Sequence, residues 1–127
     1  MGSPALVNLD IDLGNKVVQA LDEDGKAPNV ALWAKLPEYQ DWRLVIASDR
    51  LDQESPRLGY SEIDAAVKKA GISFRRLPPV ALRPMRRPFI QALRRAFSSA
   101  KDVYGMRLGN QTFGDQFLED AFVYRIQ

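Results

Sequence analysis

The chemistry open to this chain is narrowed first by two residue types that it lacks. Its 127 residues include no cysteine and no histidine. Without cysteine there is no disulfide, thiolate nucleophile or zinc–cysteine cluster. Without histidine there is no Ser–His or Cys–His pair, no imidazole acid–base catalysis near neutral pH, and almost none of the common transition-metal sites. We therefore predict no catalytic residue and no cofactor, and the composition favours a protein that is not an enzyme.

Asp10 and Asp12 form the one closely spaced acidic pair that resembles a metal-binding motif. If this segment forms a strand, the two carboxylates share a face and could hold a divalent cation. If residues 6–24 form a helix instead, the two side chains point roughly 200° apart. Apolar residues at three- and four-residue spacing continue to Leu21, which favours the helix, with Gly25 as its C-terminal stop. A divalent-metal phosphodiesterase that uses the two aspartates is the third of our functional hypotheses.

A basic segment on and before a predicted helix is the second group with chemical potential. Pro88 suits a first helical turn, and the helix should run to about Ser99 with apolar residues on one face and basic residues on the other. Arg86 and Arg87 lie where the helix dipole disfavours cations, unless an anion such as phosphate docks on the free N–H groups. This basic helix, residues 87–101 with the arginines before it, could bind nucleic acid or another polyanion. The predicted binding residues are Arg83, Arg86, Arg87, Arg94, Arg95 and Lys101.

The elements that must position these groups begin with a predicted hairpin over residues 29–48. Two apolar runs rich in Val, Ile, Leu and Trp flank a polar five-residue loop, residues 37–41. The loop length predicts a register in which opposed residues share the core face. In that register Leu36 faces Trp42, Ala34 faces Leu44, and Leu32 faces Ile46.

The reverse face of the hairpin places Trp33 beside two cations, Lys35 and Arg43. This face is neither fully apolar nor fully polar, so something should cover the indole. One cover is a helix of the same chain or a dimer mate, and another is a ligand stacked on the ring. Trp33, Lys35 and Arg43 are therefore our candidate interface residues.

The rest of the chain completes an α+β pattern. A helix should begin with Ser61 as its N-cap and end at Gly71. Residues 72–82 predict an edge strand interrupted by prolines. Residues 104–108 and 121–126 predict two more strands, separated by a loop. The element order αββαβαββ predicts a mainly antiparallel sheet of about five strands packed with three helices.

Length and composition predict a single domain over residues 4–127, preceded by a probable expression remnant at residues 1–3. No apolar run approaches the roughly 18 residues of a membrane span, and no secretory signal precedes the domain, so we expect a cytoplasmic protein that does not enter membranes. The charge is uneven: residues 1–66 hold 6 Lys/Arg and 12 Asp/Glu, whereas residues 67–127 hold 12 and 4. This asymmetry permits attraction of an anionic partner, and it equally permits the two halves to neutralise each other.

These patterns support two functional hypotheses ahead of the metal-dependent one. The first is a protein-interaction or self-association module, for example a homodimer, that uses the Trp33 face or the basic helix. The second is a nucleic-acid or polyanion binder that uses the six basic residues above.

Overall fold

The computed structural model describes residues 6–73 and 78–127, which contain three helices and seven strands. The helices are α1 (Asn8–Glu23), α2 (Pro56–Lys69) and α3 (Pro88–Ala96). The strands are β1 (Val30–Lys35), β2 (Arg43–Ala47), β3 (Val80–Leu82), β4 (Arg107–Leu108), β5 (Gln111–Phe113), β6 (Gln116–Leu118) and β7 (Asp120–Ile126). Residues 1–3 and part of the predicted strand over residues 72–82 lie outside the described residues.

Five strands form one sheet in the order β3-β2-β1-β7-β4, and β5 and β6 form a separate two-stranded hairpin. The α+β class, three helices and five-stranded main sheet agree with the sequence-based expectation. The expectation of a mainly antiparallel sheet is wrong, because the sheet is mixed. β3 runs parallel to β2, since the connection through α2 returns the chain to the end of the sheet from which β2 began. The predicted order is also incomplete, because residues 111–118 form β5 and β6 instead of a loop.

The hairpin of β1 and β2 forms as predicted, but its register differs by one residue. Leu32 pairs with Val45 and Trp33 pairs with Leu44. The predicted pairing placed Leu36 opposite Trp42 across a five-residue loop, whereas β2 begins one residue later than expected and the last pair is Ala34 with Arg43. Because side chains alternate at period two, this shift places Leu44 on the face of Trp33 and Val45 on the face of Leu32.

Both faces of the main sheet are buried, and this is why every residue of β1 is buried. On one face, α1 and α2 cover the cluster that includes Trp33, Leu44 and Ile46. On the other face, α3 and the β5–β6 hairpin cover the cluster that includes Leu32 and Val45. The reverse face of the hairpin, which carries Trp33, is thus covered by helices of the same chain.

The three helices begin and end for identifiable reasons. Residues 8–23 form a helix, not a strand, and the following Gly25 has the φ of +72° that suits a helix stop. α2 begins earlier than predicted: the N-cap is Ser55, whose hydroxyl accepts the N–H of Leu58, and not Ser61. α3 begins at Pro88 as predicted and ends at Ala96, three residues before the expected end.

The outer edge of β3 is closed by a tyrosine from α2. The Tyr60 hydroxyl accepts the N–H of Leu82 at 2.8 Å and donates to the carbonyl of Val80 at 3.4 Å. These are the two backbone groups that a further parallel strand would use. The opposite edge strand, β4, has only two residues. Both edges are therefore poor templates for pairing with another chain.

No helix in residues 6–73 or 78–127 has the length and apolar character needed to cross a lipid bilayer.

Candidate polyanion-binding surface

The helix α3 presents its basic residues away from the sheet because its apolar residues recur at helical spacing. Phe89, Ile90 and Leu93 are buried against the sheet. Arg95 is exposed on the outer side, and Arg94 is half-buried beside the end of β7. The Nε of Arg94 donates to the backbone oxygen of Gln127 at 2.6 Å, which holds one guanidinium of the predicted set in place.

A hollow of about 660 Å³ lies between the second half of α3 and the end of β7. Its volume falls in the range of about 300–1,000 Å³ that is typical of ligand sites. Phe97 lines it and packs on Phe113 with ring centroids 6.4 Å apart. The lining residues are Gln91, Arg94, Arg95, Phe97, Ser98, Ala100, Ile126 and Gln127.

Two cations beside this hollow have no side-chain counter-charge in the described part of the chain. Arg95 lines the hollow, and Lys101 directly follows another lining residue, Ala100. Both side chains are exposed. Arg94 and Arg95 give the lining of the hollow a positive charge. We call Arg94, Arg95, Phe97 and Lys101 the α3 surface.

Arg86 and Arg87, at the start of α3, are paired with carboxylates of the chain itself. Arg86 lies 3.5 Å from Glu54, and Arg87 lies 3.2 Å from Asp115. From the sequence, an external anion at the helix N-terminus was one way to balance these two arginines. The fold supplies negative charge there without one.

Arg83 belongs to a different part of the molecule. It follows β3 and donates through Nη1 to the carbonyl of Leu82 at 3.1 Å and through Nη2 to the Tyr39 hydroxyl at 3.4 Å. The six predicted anion-binding residues are thus divided among three places. They lie at the α3 surface, at the start of α3 and at the β1–β2 loop.

The acidic and basic halves of the chain are partly neutralised against each other. Asp22 pairs with Arg125 at 2.8 Å and Asp24 pairs with Lys69 at 3.3 Å. The hydrogen bond from Lys69 lowers the pKa of Asp24, and the hydrogen bond to Asp22 raises the pKa of Arg125. Together with the Arg86–Glu54 pair, these contacts neutralise several basic residues of the second half. Basic residues of the α3 surface are not neutralised in this way.

Trp33 lies beneath α1 and is only 3% exposed. Its Nε1 donates to the Tyr124 hydroxyl at 2.9 Å and to the backbone oxygen of Asp10 at 3.2 Å. A helix of the same chain is therefore the cover, which was one of the two possibilities considered from the sequence. The Tyr124 hydroxyl in turn donates to the carbonyl of Ile11 at 2.6 Å, and burial raises the pKa of Tyr124.

The other two candidate interface residues gather around Tyr39, which we did not single out from the sequence. Lys35 is buried and donates through Nζ to the backbone oxygen of Tyr39 at 2.8 Å. The guanidinium carbon of Arg43 lies 4.3 Å from the centroid of the Tyr39 ring. The ring that Arg43 stacks on is therefore Tyr39 and not Trp33, and Lys35 meets only the backbone of Tyr39. The sequence signal for Tyr39 was an aromatic residue in the polar loop between two strands that carry cations near their ends.

Asp10 and Asp12 lie on α1, so the shared strand face that a metal site required is absent. The carboxylate of Asp10 accepts the N–H of Val7 at 3.2 Å, as in a helix cap. Within the described residues, no group of three or more His, Cys, Asp or Glu side chains converges as a metal site would require. The geometry gives the metal-dependent hypothesis no support.

Comparison with known proteins adds no functional assignment. No protein-family description, curated protein or solved structure matches the chain significantly. The function must therefore be inferred from the geometry alone.

Proposed function

We propose that this protein is a non-enzymatic binding module that recognises single-stranded nucleic acid through the α3 surface. The observation that carries the proposal is a hollow lined by Arg94, Arg95 and Phe97, with the exposed Lys101 one residue beyond its lining in the chain. Arg95 and Lys101 have no counter-charge among the described residues. Proteins that bind single strands combine a positive groove with an aromatic side chain on which a base can pack.

The charge distribution of this region supports a polyanionic ligand over a neutral one. Residues 83–107 hold seven Lys/Arg and a single acidic residue, Asp102. Unpaired cations attract the phosphate backbone and release its condensed counterions, which makes the affinity depend on salt. Three contacts, from Arg94, Arg95 and Lys101, correspond to a slope of about −2 in a plot of log affinity against log salt for a single strand.

Self-association has less geometric support. Trp33 is covered by α1, and the edge of β3 is closed by Tyr60. The remaining edge strand is two residues long. A homodimer formed through the Trp33 face or by edge pairing would therefore require this fold to open first.

Fluorescence anisotropy with a labelled oligothymidine of about 20 nucleotides tests the proposal. Affinity should fall about 16-fold between 50 and 200 mM salt if three phosphates are contacted. The double variant Arg95→Gln/Lys101→Gln leaves one contact, so its affinity should be weaker and should fall only about threefold over the same range.

The matched control is Lys16→Gln/Arg57→Gln, which removes the same charge from exposed positions on α1 and α2. It should retain the wild-type affinity and salt slope. Absence of saturable binding at 50 mM salt, or an equal loss in both double variants, refutes the proposal.

A further inference from the structure

A second group of cations surrounds Tyr39 in the β1–β2 loop. We call Lys35, Tyr39, Arg43 and Arg83 the Tyr39 cluster. The Arg43 guanidinium stacks on the Tyr39 ring, Arg83 donates to its hydroxyl, and Lys35 donates to its backbone oxygen. The cluster therefore brings together residues from β1, β2 and the chain after β3 around one ring.

The positive charge of this cluster is only partly balanced. Lys35 lies 3.6 Å from the carboxylate of Glu119. Arg43 and Arg83 are half-buried, and neither contacts a carboxylate within residues 6–73 or 78–127. A charged group that loses part of its contact with water is stabilised by a counter-charge, because leaving water without one is unfavourable.

The cluster is also rich in donors and poor in acceptors. A guanidinium carries five N–H donors. Arg43 uses none of them in a hydrogen bond to the described residues, and its Nε is buried without an acceptor. Arg83 spends one donor on Leu82 and one on the Tyr39 hydroxyl. That hydroxyl accepts a hydrogen bond, and its own proton has no acceptor among the described residues.

We infer that the Tyr39 cluster binds a phosphate group through the guanidinium groups of Arg43 and Arg83 and the hydroxyl of Tyr39. The Nε of Arg43 is buried without an acceptor, and its terminal nitrogens make no hydrogen bond to the described residues, so they are free to donate to an oxyanion. Two unbalanced guanidinium groups match the charge of a phosphate monoester, which is about −1.5 to −2 at neutral pH. A carboxylate would balance only one of them. Forked contacts of this kind are those for which arginine is better suited than lysine.

This site is independent of the proposed nucleic-acid function, because it shares no residue with the α3 surface. The ligand could be inorganic phosphate or the phosphate of a small ester, and the chemistry of recognition is the same. Titration with sodium phosphate and with methyl phosphate distinguishes these sources: binding of the ester alone identifies an esterified ligand, and binding of both shows that the phosphate group suffices.

The experiment follows the arginine Nε–H resonances by NMR while each probe is added at constant ionic strength. A saturable shift of the Arg43 Nε–H signal is expected with at least one phosphate probe. Arg83→Gln should weaken this binding at least tenfold. Tyr39→Phe keeps the ring beneath Arg43 but removes the hydroxyl, and it should weaken binding about three- to tenfold.

Arg95→Gln is the control, because it removes an arginine of the α3 surface and should leave phosphate affinity unchanged. Arg43→Gln, checked for folding by circular dichroism, should abolish binding. The inference is overturned if neither phosphate probe shifts the Arg43 signal, if acetate binds as tightly as phosphate, or if a folded Arg83→Gln variant binds as the wild type does.

Discussion

Replacement of Gly14 by alanine tests how α1 is held against the sheet. Gly14 is buried on α1 directly over the Tyr124 hydroxyl. A Cβ atom there would lie 2.7 Å from Tyr124 Cζ and 2.9 Å from Trp33 Nε1, and closer still to the hydroxyl oxygen. Alanine would therefore push α1 away from the point where Trp33, Tyr124 and Ile11 are linked by hydrogen bonds.

The expected cost follows from three effects. Overpacking of this kind costs about 2 kcal/mol, and loss of the Trp33–Tyr124 and Tyr124–Ile11 hydrogen bonds costs about 2 kcal/mol more. The higher helix propensity of alanine returns about 1 kcal/mol. Gly14→Ala should therefore lower the free energy of unfolding by about 3 kcal/mol, although the same change in an exposed helix is stabilising.

Urea unfolding followed by tryptophan fluorescence measures this change. Gln19→Ala, at an exposed position of α1, is the control and should change stability by less than about 0.5 kcal/mol. In a Tyr124→Phe background the nearest clashing atom is gone, so Gly14→Ala should cost less than it does in the wild type.

A Gly14→Ala variant as stable as the wild type would refute this account of α1 docking. It would also mean that α1 is only loosely attached over the Trp33 indole, so that a partner could reach this side chain. The experiment therefore bears on function as well as on folding.

Two further predictions concern tyrosine hydroxyl groups. Burial raises the pKa of Tyr124, so the folded state holds this proton more tightly than the unfolded state, whose tyrosine ionises near pH 10. Stability should be independent of this group below about pH 10 and should fall as the pH rises further. Urea midpoints measured between about pH 8 and pH 11 should therefore decline less steeply for Tyr124→Phe than for the wild type. Parallel declines would contradict the assignment. Tyr60→Phe should leave the outer N–H of Leu82 and carbonyl of Val80 unpaired and should increase concentration-dependent self-association. Light scattering measures this change. The same mean mass for the variant and the wild type at every concentration would count against this role of Tyr60.

The helices and the hairpin could be predicted in outline because their signals are local. The apolar stripe of α3 depends on residues three and four positions apart, so it is visible without knowledge of the fold. The start of α2 was missed because Pro56 and Gly59 resemble loop residues. In the structure Gly59 is helical and packs closely on Leu82, a reason for glycine that no neighbouring residue reveals. The strands β5 and β6 are three residues each, too short for a periodic pattern.

The candidate sites show the same division. The sequence by itself determined which residues of α3 are apolar at helical spacing, and Phe89, Ile90 and Leu93 are buried while Arg95 is exposed. It could not determine that Arg86 and Arg87 meet Glu54 and Asp115, since these partners are brought close only by tertiary packing.

The register of β1 and β2 was likewise decided by tertiary structure. Relative to the predicted register, a shift of one residue places Arg43 on the face opposite Trp33, where the Tyr39 ring contacts it and Arg83 donates to the Tyr39 hydroxyl. The physical reason is that a strand buried on both faces carries apolar residues at every position, so its pattern does not specify which residues share a face. The loop and the packed helices supply that information, and with it the identity of the aromatic ring that the cations contact.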